Sequence, residues 1–178
     1  MNELVFWEII EQSKEESRDF SHQIELLITK LSSLNESQIV EFEYRFREAL
    51  SESARYNIMA AAKIINDYVS DDSFLYFRCR LIAEGKELFY NAIENPEVIA
   101  ENNIQELEFG GEEMLYVADQ TFIKRFGEDT DKELPRDLTF DYLNYDKVEE
   151  IKGEDWKEDE LPLKYPKLWD IYKNKSLA

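Results

Sequence analysis

Ser70-Asp71-Asp72-Ser73-Phe74-Leu75-Tyr76-Phe77-Arg78 reads as the opening of a capped helix whose pattern runs on to Gly85. Ser70 can accept from the otherwise unsatisfied N–H groups of a first turn, so the helix begins at Asp71. Asp71 and Asp72 then sit at the positive end of the helix dipole, and Gly85 is the natural stop. At 100° per residue, Phe74, Leu75, Phe77, Cys79, Leu81 and Ile82 share one broad apolar arc, with Tyr76, Arg80, Ala83 and Glu84 opposite. Arg78 breaks the division by projecting from the middle of the apolar arc. A guanidinium taken out of water costs several kcal/mol, on the order of what only charge pairing and hydrogen bonds offset. Asp71, two turns earlier, and Glu43, on another helix, are the expected partners. Ser70, Asp71, Asp72, Phe77 and Arg78 therefore form one cluster with two readings. Either it is a structural ion pair that fixes helix packing, or it is an anion- or substrate-binding arginine flanked by acids.

The flanking sequence predicts an all-α, single-domain, multi-helix bundle. Leu4, Phe6, Trp7, Ile9 and Ile10 give a first helix over residues 3–13 capped by Asn2, followed by a polar link to Arg18. Phe20, Ile24, Leu27, Ile28 and Leu31 give a second, ending near Ser33. Asn35 with Gln38 forms a capping box for a third, with Ile39, Phe42, Phe46 and Leu50 on its core face. Glu43 and Arg47, four apart on that helix, read as a solvated pair. Residues 56–68 are apolar on most sides and are expected at the centre of the core, next to the helix that starts at Asp71. Lys86 to Glu94 is a further helix, and Asn95-Pro96 supplies an N-cap and an N1 proline for a short one through Ala100. Gly110-Gly111 punctuates the chain, after which Met114 to Phe126 forms a helix closed by Gly127.

Several of these residues together resemble a known family. Ala60-Ala61-Ala62-Lys63-Ile64-Ile65-Asn66, Ser70-Asp71-Asp72-Ser73-Phe74, Tyr76-Phe77-Arg78, Leu81-Ile82-Ala83-Glu84-Gly85 and Asn95-Pro96, with Phe6-Trp7 near the start, are similar to the domain-of-unknown-function family DUF4240 over roughly residues 1 to 125. The chain departs from the pattern at Asp67-Tyr68-Val69, where small residues are usual, and at Arg80, where an aromatic is. The resemblance implies a bacterial, cytoplasmic, mainly helical domain with no assigned activity. It supplies no catalytic residues.

Beyond that region the character changes. Residues 1–127 read as the helical body and 128–178 as an acidic, loop-rich extension. Pro135, Pro162 and Pro166 interrupt it, while Phe140, Tyr142, Tyr145, Trp156, Tyr165 and Trp169 recur along it. So many aromatics favour ordered packing across the helices, with a last short helix from Pro166 to Tyr172. Its most acidic stretch, Glu154-Asp155-Trp156-Lys157-Glu158-Asp159-Glu160, reads either as a solvated loop or as a docking surface for a basic partner.

Forty acidic residues against 21 Lys and Arg leave a formal charge of −19, which argues against contact with phosphate backbones or anionic membranes. A basic protein is the expected partner, because an acidic surface speeds encounter with a positive patch. The single histidine, His22, falls off its helix's apolar stripe, so no Ser-His-Asp triad or multi-histidine site can be built without it. Cys79 lies on the apolar arc and reads as an inert buried thiol. Asp71 and Asp72 diverge by about 100° and are poorly placed to share a metal ion. No phosphate-cradling glycine loop occurs. No catalytic residue, metal or cofactor is therefore expected. The leading expectation is a non-catalytic interaction module, such as an immunity-type protein that binds a basic toxin. The alternative is a small ligand-binding or hydrolase-like domain using Asp71, Asp72 and Arg78 in a cleft. No apolar run reaches the roughly 20 residues of a membrane span, and the start of the chain lacks a signal peptide's basic region, so the cytoplasm is expected.

Overall fold

The computed structural model describes residues 1–102, 110–128, 131–140 and 150–174, and the fold is all-α. Helix α1 spans Glu3–Glu16, three residues beyond the expected end, because Ser13 also turns into the core and donates to the Ile10 carbonyl at 2.6 Å. Asn2 caps it, accepting from the Val5 N–H at 2.9 Å. α2 (Phe20–Leu31) starts at Asp19, whose carboxylate accepts from the His22 N–H at 2.8 Å. α3 (Glu36–Glu52) opens on the expected Asn35–Gln38 capping box. α4 (Tyr56–Asn66) ends at Asp67, which takes a left-handed φ of 61°.

α5 (Asp71–Ala83) is the hub. It touches α1, α3, α4, α6 and the 3₁₀ turn Glu112–Tyr116. Its expected polar side is largely covered: Arg80 and Ala83 are buried, while Tyr76 and Glu84 are half-buried. A helix packed on several sides has little solvent face, so amphipathic projection finds its orientation poorly. Gly85 follows at φ 101° and leads into α6 (Lys86–Glu94). Asn95-Pro96 forms a turn rather than a helix start, and α7 begins only at Val98 (Val98–Glu101), with Glu97 at its cap.

Gly111 shows how closely the next segment approaches. Its φ is +120°, and a Cβ there would lie 2.2 Å from the Tyr76 carbonyl oxygen. The backbone of Gly111 thus rests directly on the backbone of α5. The expected helix from Met114 is split into that 3₁₀ turn and α8 (Val117–Phe126). α9 (Pro135–Thr139) lies against α3 and α8. Residues 150–174 add the 3₁₀ turn Glu158–Glu160, α10 (Leu161–Lys164), α11 (Pro166–Trp169) and a π turn (Asp170–Asn174) in place of one continuous last helix. Tyr142 and Tyr145 lie outside the described residues.

The core runs continuously from Phe6, Trp7 and Ile10 through Phe42, Phe46, Phe77 and Phe89 to Phe122, Leu161 and Leu168. Trp7 anchors its aromatic end, with ring centroids 5.0 Å from Phe6 and 5.1 Å from Phe89. Edge and tilted ring pairs of this kind add about 0.5–1.5 kcal/mol beyond area burial.

Candidate functional site

Ser70 and Ser73 close the start of α5 reciprocally. The Ser70 hydroxyl accepts from the Ser73 N–H at 3.2 Å, and the Ser73 hydroxyl accepts from the Ser70 N–H at 2.7 Å. Asp71 and Asp72 occupy the first turn and are exposed. Phe77 and Arg78, both about two turns on, are buried, with Arg78 only 7 % exposed. Arg78 Nη1 donates to the Leu50 carbonyl at 2.8 Å, and its Cζ sits 4.6 Å from the Phe74 ring centroid. Leu50 is in the last turn of α3, where carbonyls have no N–H four residues ahead and carry the negative end of the dipole. One role of Arg78 is therefore to cap α3 from a neighbouring helix. The Leu50 carbonyl also accepts from the Ser53 hydroxyl at 3.1 Å; sequence reasoning sought only a carboxylate partner and missed this one, because a backbone carbonyl has no side-chain signature.

Arg80, expected in solvent, is the second buried cation of α5. Its Nε lies 3.4 Å from Glu84, its Cζ lies 4.0 Å from the Phe20 ring centroid, and Glu84 also holds Lys14 at 2.7 Å. That chain ties α5 to α1 and α2. Glu84 also lines a groove of about 470 Å³ together with Glu11, Glu15 and Glu87.

A third polar group lies beneath α9. Glu43 and Arg47 are not the solvated pair expected. Their side chains are 2 % and 1 % exposed and meet at 2.8 Å. Arg47 Nη2 also donates to the Arg136 carbonyl at 2.9 Å, and the Asp119 carboxylate accepts from the Arg136 N–H at 3.0 Å. Burial outweighs the Arg47 hydrogen bond and pushes the Glu43 carboxyl up to about 7. Asp119 is likewise raised, mainly by burial. Such a proton affinity suits a general acid–base group. The burial of Glu43, however, keeps it away from any substrate in the groove. The spacing of four revealed this pair, but its burial follows from α9 covering it, and that helix is five residues long with no periodic signal.

Cys79 is fully buried, and burial pushes its thiol up, away from nucleophilic use. Among the described residues no cluster of His, Cys, Asp and Glu is arranged to hold a metal ion. Asp71 and Asp72 stand at the helix start, while the Arg78 guanidinium turns away to the end of α3.

The acidic stretch near the C-terminus divides in two. Glu154, Asp155, Glu158, Asp159 and Glu160 are exposed. Trp156 is not, since its indole Nε1 donates to the Tyr56 carbonyl at 2.8 Å and its ring rests on the core. Lys63 reaches Glu158 at 3.1 Å, and Lys164 lies 3.9 Å from Glu154.

Among the described residues no helix is long and apolar enough to cross a membrane. A family model described as a protein of unknown function, DUF4240, matches residues 1–124, which takes in α1 through most of α8. No curated protein and no solved structure matches the chain.

Proposed function

Since the chain belongs to the DUF4240 family, described only as of unknown function, its role must be read from its own chemistry, and we propose a non-catalytic module that offers an acidic surface to a basic protein. In its most concrete form the partner is a basic toxin in the bacterial cytoplasm, neutralised by immunity-type binding. One observation carries this reading. Many of the chain's cations are held by its own acids: Lys14 by Glu84, Lys30 by Glu16, Lys86 by Glu3, Lys132 by Glu36, Lys167 by Glu101 and Lys173 by Asp67. The other acids outnumber these cations, and among the described residues Glu154, Asp155, Glu158, Asp159 and Glu160 form a dense exposed run in which Lys164 and Lys63 meet only Glu154 and Glu158. A surface so biased steers positively charged partners and repels acidic ones.

The test uses an arginine-rich peptide as probe, titrated at low and high salt. Reversing Glu154, Asp155, Glu158, Asp159 and Glu160 to lysine is expected to weaken binding at low salt by about tenfold or more. An equal number of reversals on α1 and α6, including Glu8, Glu15 and Glu87, is expected to leave most of the affinity. Equal losses from both sets would mean that net charge alone attracts the probe, and the reading would fall. In the competing reading, a cleft using Asp71, Asp72 and Arg78, the two acids are exposed at the start of α5 while Arg78 is buried against the end of α3.

A further inference from the structure

Residues 150–174 meet the helical body in a way that no other described segment does. Their helical runs are short, below the roughly 12 residues an isolated helix needs to persist in water. Their order therefore comes from docking. Lys152 joins the α3–α4 junction, its N–H donating to the Ala54 carbonyl at 2.9 Å while its carbonyl accepts from the Tyr56 N–H at 3.0 Å. Trp156 adds its indole bond to the Tyr56 carbonyl. Leu161, Tyr165 and Leu168 then bury themselves at 0 %, 8 % and 0 % exposure; α11 lies against α4 and α7, and the π turn after it against α4. The anchors come from α10, from the break at Tyr165 and from α11, and enter the core together. At the rim, the Glu97 carboxylate accepts from the Lys167 N–H at 2.7 Å, and Lys173 pairs with Asp67.

We propose that the α4–α7 face is a peptide-docking groove, occupied in cis by residues 150–174 as a releasable strap, and able to take the same segment from a second copy of this chain. The occupant is fixed by the segment already seated there: three buried anchors, Leu161, Tyr165 and Leu168, preceded by an acid-rich run. Surface ion pairs at its rim, such as Lys63–Glu158, contribute most at low salt.

Two measurements on the full-length protein test this. In wild-type hydrogen exchange, amides of residues 150–174 are expected to exchange about tenfold or more faster than those of α5, and faster still in high salt. Equal protection of both regions would make the segment an inseparable part of the core and overturn the proposal, whether or not any variant folds. The second measurement adds a labelled synthetic peptide of residues 150–174 to wild type and to a full-length Leu161→Asp, Leu168→Asp variant. Saturable binding is expected to a variant that keeps α1–α6 protected, with little to wild type and none by a peptide carrying both substitutions. A folded variant that does not bind the peptide would overturn the groove, and so would binding that survives the peptide substitutions.

Discussion

α5 and the segment 150–174 are built from similar materials, apolar anchors beside charged groups, yet the two are held differently. In α5 the cations are interior. Arg78 caps the end of α3 and Arg80 lies over Phe20, so each cation is bound from more than one side. In the C-terminal segment the charges are at the rim, where water and salt compete, while Leu161, Tyr165 and Leu168 enter the core and Ile151, Trp156, Trp169, Ile171 and Tyr172 pack partly buried against it. The contrast teaches that a buried charge commits a helix to its neighbours, whereas an exposed one leaves its segment able to come away.

The sharpest way to test the committed half is Gly111→Ala. The new Cβ would collide with the Tyr76 carbonyl at a backbone angle that side chains avoid. A loss of about 4 kcal/mol or failure to fold is expected from strain and clash together. Gly110→Ala, at φ +98° with open space around it, is expected to cost only about 1–2 kcal/mol. Equal melting points for the two would show that the approach of Gly111 to α5 does not matter.

Leu168→Ala addresses the other half. Removing a buried leucine costs about 3 kcal/mol. Here the loss is expected as vanished exchange protection confined to residues 150–174, with little change in the midpoint of global unfolding. A full shift of that midpoint would erase the distinction between the two regions.

Proton linkage probes the interior charges. The folded value of Glu43, about 7, lies above its ordinary 4.5, so the native state holds this proton more tightly than the unfolded chain. Its contribution to stability is complete below about pH 4.5 and is lost as pH rises through 7, on the order of 3 kcal/mol in all. Denaturant titrations of wild type and Glu43→Gln from pH 4.5 to 8 are expected to diverge progressively, with the variant flatter. Parallel curves would refute the assignment.

Trp156→Phe, the mildest change, keeps most of the ring and removes the bond to the Tyr56 carbonyl. A cost of about 1 kcal/mol is expected, again read in the exchange of residues 150–174 and not in that of α5.

Much of the body could be read before any coordinates. The caps at Asn2, Asn35 and Ser70, the helices they start and the inward turn of Arg78 all follow from spacing, because capping chemistry is local. Three things could not be read. The carbonyl of Leu50 as a partner of Arg78 depends on how α3 and α5 cross. The burial of Arg80 and of the Glu43–Arg47 pair depends on cover from Phe20 and α9, elements distant in sequence. The inward anchoring of Trp156 depends on a single backbone carbonyl of α4. In each case the deciding neighbour is set by tertiary packing, to which periodicity along one helix is blind.

Cys79 is the chain's sole thiol, sealed in the middle of the hub helix. Alkylating reagents will therefore ignore the native protein and modify it only when that helix comes apart, which gives the molecule a built-in clock for its own global opening. A cysteine introduced on the outer surface could then carry a fluorophore at one chosen place without first removing the natural one.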